Sequence, residues 1–222
     1  MKLGNEIDLL KNYPKTKRNL DERANSKTEE DREIARRFDK DFFDGDRRYG
    51  YGGYFYNAKF WTKTVIDFKN HWNLNKNSSI LDVGCGKGFM IYDFLQLIPD
   101  LKKINGVDIS RYAIENSKKE ISKFLSVANA NDLPFYDDSY DYVISINTIH
   151  NLDLLNCKKA IKEISRVSRK GSFITVDAYD NEEEKKRMYD WNLTAKTILS
   201  VNDWKKIFSE CDYKGDFFWF IP

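Results

Sequence analysis

The sequence predicts an α/β fold, in which a doubly wound, mostly parallel sheet of six or seven strands carries helices on both faces and follows a helical N-terminal extension. From residue 79 onward, short apolar runs alternate with amphipathic segments, which is the order of repeated β–α units. The apolar runs are nearly continuous, as in strands that are buried on both faces. Residues 1–45 are rich in charge and poor in aliphatic side chains, so we expect them to lie outside this core.

The extension contains one predicted helix and one unusual loop. Residues 28–40 can form a helix, with Thr28 as its N-cap and Asp31 in the place of the usual capping-box Glu. Residues 44–56 hold four glycines and four tyrosines and cannot form a regular helix. This segment is either a structured loop at the domain edge or a lid or substrate loop. We therefore divide the chain into an extension, residues 1–57, and a main domain, residues 58–222.

The elements of the main domain follow in chain order. Strands are expected at residues 79–83, 103–107, 124–128, 140–146, 172–178 and 213–220. Helices are expected at residues 60–72, 89–98, 111–121, 157–168, 182–199 and 202–211. Only one strand is evident after the fifth, and its free edge predicts a homodimer that covers it.

Composition excludes several classes of protein. The 222 residues are 41% hydrophobic, which suffices for the core of one domain. Lys and Arg total 37 and Asp and Glu total 35, and this balance argues against a nucleic-acid partner. No run approaches the roughly 20 apolar residues of a membrane span, and residues 1–17 lack the apolar region of a signal peptide. Cys85, Cys157 and Cys211 form neither a CxxC pair nor a His-linked spacing, which predicts free thiols in the cytoplasm and no metal site.

A glycine-rich turn follows the first strand, at the edge of the sheet where ligands of such folds bind. A P-loop requires Gly-Lys-Ser/Thr, but Lys87 is followed by Gly88. A dinucleotide fingerprint starting at Gly84 and Gly86 requires a third glycine where Phe89 stands. The turn therefore favours a nucleoside without a diphosphate.

An acidic residue ends the second strand. A carboxylate at the position of Asp108 can accept hydrogen bonds from both hydroxyls of a ribose, in NAD as well as in other nucleosides. Asp108 could instead cap the next helix, but Ser110 can do so equally well.

Four motifs, LDVGCGKG, GVDIS, NANDLPF and DDSYDYVIS, resemble in this order the class I S-adenosylmethionine-dependent methyltransferases, of the type 11/25-like kind. The resemblance covers about residues 58–180 and implies a Rossmann-like fold, S-adenosylmethionine as cofactor and S-adenosylhomocysteine as product. The Tyr/Gly-rich segment, with INTIHNL and SFITVDAY, is similar to bacterial methyltransferases of surface-polysaccharide pathways.

The resemblance also implies roles for individual positions. The methionine part of the cofactor would contact the ends of the first and fourth strands. The ribose would contact Asp108, and the adenine would contact the ends of the second and third strands. The family pattern D-A-x-x-L-P-F has Asp where this chain has Asn129, which can still accept through its carbonyl oxygen. The implied cofactor-binding residues are Asp82, Gly84, Cys85, Gly86, Asp108, Ile109, Asn129, Ala130 and Asn147.

The catalytic candidates follow the fourth and fifth strands. His150 is expected at the mouth of the pocket as a general base, or else as a structural histidine, whereas His71 is expected to be structural. Asp177 can orient the molecule that accepts the methyl group, act as the alternative base, or cap the next helix.

A small polar or anionic acceptor, such as a sugar or a nucleotide-linked intermediate, fits the candidate substrate residues. Paired arginines bind phosphate or carboxylate groups, although this pair could equally answer Asp44 and Asp46 on the surface. The candidates are Arg47, Arg48, Tyr51, Tyr54 and Tyr179. Two other functions stay open: an NAD-type oxidoreductase, and a non-catalytic protein that binds S-adenosylmethionine.

Overall fold

The computed structural model describes residues 3–14 and 27–221. The strands are β1 (Ser79–Val83), β2 (Lys103–Asp108), β3 (Leu125–Val127), β4 (Tyr140–Ile146), β5 (Ser168–Tyr179), β6 (Leu199–Ser200) and β7 (Asp216–Phe220). These seven strands form one sheet in the order β3-β2-β1-β4-β5-β6, with β7 also paired to β5. All six pairings between them are parallel.

Helices cover both faces of this sheet, which confirms the predicted doubly wound architecture. One buried cluster joins the strands to the helices Leu154–Val167 and Val201–Glu210, and a second joins them to the helices Ala58–Trp72 and Phe89–Leu97. The helices are α1 (Glu29–Ala35), α2 (Lys40–Asp44), α3 (Ala58–Trp72), α4 (Phe89–Leu97), α5 (Arg111–Glu115), α6 (Leu154–Val167), α7 (Glu182–Trp191) and α8 (Val201–Glu210), with 3₁₀ turns at Ser122–Phe124 and Ile149–Asn151. None of the helices described is long and apolar enough to cross a membrane.

Two predicted helices end earlier than the sequence suggested. The helix predicted over residues 182–199 ends at Trp191, because Asn192 leaves the helical conformation and its Oδ1 accepts a hydrogen bond from the Ala195 N–H at 2.7 Å. Such a hydrogen bond from the backbone to a side chain competes with helix continuation. The helix after β2 likewise ends at Glu115.

The helix predicted over residues 28–40 ends at Ala35, and a separate helix begins at Lys40. The start of the predicted helix is confirmed, because the Asp31 N–H donates to Thr28 Oγ1 at 3.1 Å and the Thr28 N–H donates to the Asp31 carboxylate at 2.8 Å. The chain then turns at Phe38, which has a φ of +50°. Asp39 caps the second helix, so a second N-cap within the segment divides it.

The outer edge of β7 is paired at one residue, Phe217, within the chain. The Ile7 N–H donates to the Phe217 carbonyl oxygen at 3.0 Å, and the Phe217 N–H donates to the Asn5 carbonyl oxygen at 3.0 Å. The expectation of a homodimer rested on a free edge here, and the N-terminal segment of the same chain occupies the start of that edge, at Phe217.

Leu9 is only 4% exposed and belongs to the buried cluster that contains Val65 and Phe68. Leu9→Ala is expected to lower the free energy of unfolding by about 2–5 kcal/mol, since it removes a buried side chain and leaves a cavity. Urea unfolding measures this change. Lys11→Ala, at an exposed neighbouring position, is the control. Equal stability of the two variants would show that the N-terminal segment does not pack into the core.

Candidate active site

The turn after β1, residues 84–88, is called the glycine turn. Gly84, Gly86 and Gly88 have φ values of +86°, +54° and +74°, in the region that favours glycine. A Cβ at Gly84 would stand 2.0 Å from Thr148 Oγ1, in the segment that follows β4. The first glycine is therefore required both by the backbone conformation and by the close approach of the two strand ends.

Asp108 holds this turn from the end of β2. One carboxylate oxygen accepts a hydrogen bond from the Gly86 N–H at 2.8 Å, and the other accepts from the Ser110 N–H at 2.8 Å. Ser110 caps α5 by accepting from the Ala113 N–H at 3.0 Å, as the sequence allowed. Burial raises the pKa of the Asp108 carboxyl, and the two N–H donors oppose this shift.

Asp82 lies within the first strand, 4% exposed. Burial raises its pKa to about 8, and the nearby negative charge of Asp108 adds to this shift. Two acids therefore lie close together at the carboxyl ends of β1 and β2. A positively charged group brought to this position would stabilise their ionised forms.

The predicted adenine-side residues differ in exposure and contacts. Ile109 is 53% exposed and directly follows Asp108. Asn129 Oδ1 accepts a hydrogen bond from the Asn131 N–H at 3.3 Å within a tight turn, and Ala130 is half-buried in this turn. The Asn129 carbonyl oxygen that was expected to receive a ligand therefore already has one donor.

Asn147 is bound to β5. It has a φ of +49°, its N–H donates to Thr175 Oγ1 at 3.0 Å, and its Oδ1 accepts from the same hydroxyl at 2.9 Å. Its amide Nδ2 makes no hydrogen bond within the residues described. This buried threonine was not noticed in the sequence, because its side chain lies within an apolar strand.

His150 is in the interior rather than at the mouth of the pocket, only 3% exposed. Its Nδ1 accepts a hydrogen bond from the Asp177 N–H at 3.0 Å, which leaves the proton of the neutral ring on Nε2. Nε2 lies 3.5 Å from Asp177 Oδ2. Burial lowers the pKa of His150, although the charge of Asp177 opposes this, so the neutral ring is favoured.

Asn192 completes this cluster and was missed in the sequence. Its Nδ2 donates to Asp177 Oδ2 at 2.6 Å, and both side chains are buried. Burial raises the pKa of the Asp177 carboxyl, while His150 and Asn192 oppose the shift. Because the helix was predicted to continue through residue 199, Asn192 was placed inside a helix and not at its end. Asn192, Thr194 and Thr197, residue types of low helix propensity, were the available signal for a break.

The candidate substrate residues separate into three groups. Tyr51 packs beside Trp191, with ring centroids 5.6 Å apart. Tyr54 and Tyr179 are half-buried, the former with its carbonyl oxygen 3.0 Å from Lys87 Nζ.

Both arginines of the pair are exposed. Arg48 lies 3.5 Å from Asp46, and its guanidinium lies over the ring of Tyr49. Asp44, the other predicted partner, binds Lys87 instead. The structure therefore brings Tyr54 against the glycine turn and Tyr51 against the end of α7, whereas Arg48 contacts its own neighbours Asp46 and Tyr49.

His71 has a structural contact, as expected. Its Nε2 lies 2.7 Å from an Asp216 carboxylate oxygen and joins α3 to β7. Among the residues described, no group of three or more His, Cys, Asp or Glu side chains is arranged to hold a metal ion.

A family model described as a methyltransferase domain matches residues 74–212, more than half of the chain. The tRNA (carboxymethyluridine(34)-5-O)-methyltransferase of Arabidopsis thaliana is 36% identical over 136 residues, which are 60% of this chain and 31% of that protein. The demethylmenaquinone methyltransferase of Symbiobacterium thermophilum is 31% identical over 153 residues, 65% of this chain and 59% of that protein. The chain spans less than two thirds of the length of these curated relatives.

Two solved structures share the fold. The YcgJ protein of Bacillus subtilis has a TM-score of 0.52 at 20% identity, over 65% of each chain. Phosphoethanolamine N-methyltransferase 2 of Haemonchus contortus, in complex with phosphomonomethylethanolamine and S-adenosylhomocysteine, has a TM-score of 0.53 at 18% identity, over 72% of this chain and 39% of that one. The fold is thus that of the class I S-adenosylmethionine-dependent methyltransferases. The chain belongs to the methyltransferase domain family, which confirms the resemblance of its motifs and decides against an NAD-type oxidoreductase.

The raised pKa of Asp82 predicts a pH dependence of stability. Its usual value is 3.8 and the folded value is about 8, so the folded state holds this proton more tightly than the unfolded state does. The stabilisation is complete below pH of about 4 and is lost as the pH rises toward about 8. Relative to Asp82→Asn, the free energy of unfolding of the wild-type protein is expected to fall across this window. Urea unfolding at several pH values measures both, and parallel profiles would contradict the shift.

Proposed function

We propose that this chain binds S-adenosylmethionine across the carboxyl ends of β1, β2 and β4 and transfers its methyl group to a small polar or anionic acceptor. The observation that carries the proposal is the glycine turn held by Asp108, within the region that matches the methyltransferase domain. The nearby exposed side chain of Ile109 offers an apolar surface for a base.

Each part of the cofactor has a proposed partner. The ammonium and sulfonium charges of the methionine part would stabilise the ionised form of Asp82, beside the backbone of Gly84, Cys85 and Gly86. Asp108 would accept hydrogen bonds from the ribose hydroxyls. Asn147 would donate a hydrogen bond to the methionine part from its side-chain amide nitrogen, which its contacts with β5 leave available.

The base would bind at the exposed side chain that follows Asp108. Ile109 would pack on the adenine ring, and Asn129 and Ala130 would contact its edge. Because Asn129 Oδ1 already accepts one backbone hydrogen bond, its second lone pair would serve the ligand.

The reaction would be a direct displacement. The acceptor attacks the methyl carbon, the bond from sulfur to carbon breaks, and the electron pair stays on the neutral thioether of S-adenosylhomocysteine. Alignment of the acceptor, the methyl carbon and sulfur supplies most of the benefit, since well-oriented reactants can gain on the order of 7–11 kcal/mol.

The geometry favours Asp177 over His150 as the group that removes a proton from the acceptor. His150 already uses its Nδ1 lone pair, and its Nε2 faces Asp177. Asp177 Oδ2 binds Asn192, whereas its Oδ1 accepts no hydrogen bond within the part of the chain that is described. His150 and Asn192 would then orient the carboxyl whose Oδ1 takes the proton. The role of His150 as base stays a prediction that the variants below decide.

The acceptor would bind between the extension, residues 1–57, and the main domain, residues 58–222. Arg47 is exposed, and the segment that contains it also contains Tyr51. The Tyr51 hydroxyl accepts a hydrogen bond from the Leu193 N–H, next to the Asn192 side chain that binds Asp177. Tyr179 lies at the end of β5. A guanidinium with aromatic side chains suits a sugar phosphate, a nucleotide-linked sugar or a small carboxylic acid.

The similarity to a tRNA methyltransferase favours a second candidate acceptor, a carboxyl group on a nucleoside of RNA. The balanced charge of the chain argues against a broad nucleic-acid surface, but it does not exclude a single modified nucleoside as the group that enters the pocket.

Asp108→Asn is expected to weaken the binding of S-adenosylhomocysteine roughly ten- to a hundredfold, because a charge-assisted hydrogen bond to the ribose is lost and one of the two backbone N–H groups loses its acceptor. Isothermal titration calorimetry measures the dissociation constant, and NAD is the comparison ligand, which we expect not to bind. Asp100→Asn, at an exposed position, is the control. Unchanged affinity in the Asp108 variant would remove this residue from the cofactor site.

Asp177→Asn is expected to lower the methyl-transfer rate by about 10²–10⁴, the usual contribution of a general base, and His150→Asn to lower it less. A labelled-methyl screen over sugar phosphates, nucleotide sugars, small acids and tRNA supplies the acceptor for this assay. Asp180→Asn, exposed just beyond the strand, is the control. A larger loss in the His150 variant would make His150 the base. No transfer to any acceptor, with S-adenosylhomocysteine still bound, would favour a non-catalytic binding protein.

A further inference from the structure

A single ammonium group joins the glycine turn to two points of the extension. Lys87 Nζ lies 2.5 Å and 2.7 Å from the two carboxylate oxygens of Asp44, and it donates to the carbonyl oxygen of Tyr54 at 3.0 Å. The Lys87 side chain is only 7% exposed. An ammonium has three donors and no acceptor, so these contacts give each of its protons an oxygen partner.

Asp44 and Tyr54, the two residues that Lys87 binds, flank one segment, residues 45–53. This segment is called the acceptor loop, because it contains residues proposed to bind the methyl acceptor. Gly52 and Gly53 give this loop φ values of +95° and +84° near its end. Because Lys87 binds the residue before the loop and the residue after it, one side chain fixes the positions of both ends. The loop contains Arg47, Arg48 and Tyr51, three of the candidate acceptor residues.

Further contacts hold the start of the acceptor loop on the same surface. Asp44 also accepts a hydrogen bond from the Tyr112 hydroxyl at 2.7 Å. Burial raises the pKa of the Asp44 carboxyl, but the hydrogen bonds from Lys87 and Tyr112 outweigh this, so its pKa lies below the usual range. An edge carbon of the Phe43 ring lies 3.4 Å from the position of a Cβ at Gly86. The extension therefore rests directly on the glycine turn.

The same part of the chain reaches the acceptor side of the site. The Leu193 N–H donates to the Tyr51 hydroxyl oxygen at 2.7 Å. Arg32, on α1, donates to the carbonyl oxygen of Asn192 at 2.7 Å. Since Asn192 also binds Asp177, the extension joins the turn that would hold the cofactor to the cluster that would face the acceptor.

We propose that Lys87 is a positioning residue for the acceptor loop, which it holds in a fixed place relative to the cofactor. This inference rests on the proposed function for what the turn and the loop bind. Lys87 needs no contact with either reactant for this role. A bound cofactor fixes the glycine turn, and through Lys87 it fixes the loop that would carry the acceptor.

Limited proteolysis with trypsin tests this role, because Arg47 and Arg48 are exposed cleavage sites inside the acceptor loop. Cleavage follows the population of the open loop when opening is fast relative to cleavage. Mass spectrometry measures the rate after Arg47 and Arg48, with cleavage after Lys76, in the exposed turn before β1, as the internal reference. Each variant is measured with and without S-adenosylhomocysteine, whose affinity is determined by calorimetry.

Lys87→Met keeps an unbranched side chain that is one heavy atom shorter, and it removes the charge and the N–H donors. We expect it to raise loop cleavage at least about tenfold without ligand, since the Asp44 carboxylate loses its charged partner and keeps, among the residues described, only the Tyr112 hydroxyl. S-adenosylhomocysteine is expected to slow loop cleavage in the wild-type protein and not in this variant, although both bind it. Lys87→Arg, which keeps the charge and several donors, is expected to restore protection. Lys63→Met, on the exposed face of α3, is the matched control.

Loop cleavage in Lys87→Met within about twofold of the wild-type rate would overturn the proposal. Asp44→Asn, which removes the charge from the other side of the contact, gives the same test if the methionine variant does not fold. Failure of the wild-type protein to bind S-adenosylhomocysteine would overturn the proposed function instead. The cleavage comparison without ligand would then still decide whether Lys87 holds the loop.

Discussion

The site depends on the two hydrogen bonds that the carboxylate of Asp108 accepts from the backbone. The carboxylate accepts one hydrogen bond from Gly86 and one from Ser110, so it fixes the turn after β1 relative to the start of α5. The turn then sets its neighbours: Gly84 lies so close to Thr148 that a side chain would not fit, and this brings the ends of β1 and β4 together. Without this carboxylate, two backbone N–H groups would lose their acceptor, and the turn would lose its fixed shape.

The charges on the two sides of the site differ in a way that suits methyl transfer. Asp82 and Asp108 are two acids whose pKa values burial raises, and such a pair favours a cationic ligand over a neutral one. In the proposed function, S-adenosylmethionine brings a sulfonium and an ammonium, and the product has lost the sulfonium charge. The same electrostatics would therefore favour the substrate form of the cofactor over the product form. On the other side, Asn192 and His150 hold Asp177 in a buried, mostly neutral surrounding.

The central sheet and the glycine turn could be predicted from the sequence because their signals are local: apolar runs, helical spacing and glycines at alternate positions. The pairing of Asn5 and Ile7 with Phe217 could not be predicted, since it joins the two ends of the chain. The burial of His150 depends on the fold of the segment after α7, and the sequence reads there as a continuous helix. The contacts of Lys87 could not be predicted, because its partners lie more than thirty residues away in the sequence. From the sequence, Lys87 shows only that the turn is not a P-loop.

A crystal structure of the complex with S-adenosylhomocysteine tests the central claim most directly. We expect the ligand to lie across the carboxyl ends of β1, β2 and β4, with both ribose hydroxyls within hydrogen-bond distance of Asp108 and the base against Ile109. A ligand bound elsewhere, or one in this place whose ribose does not contact Asp108, would contradict the assignment of the site.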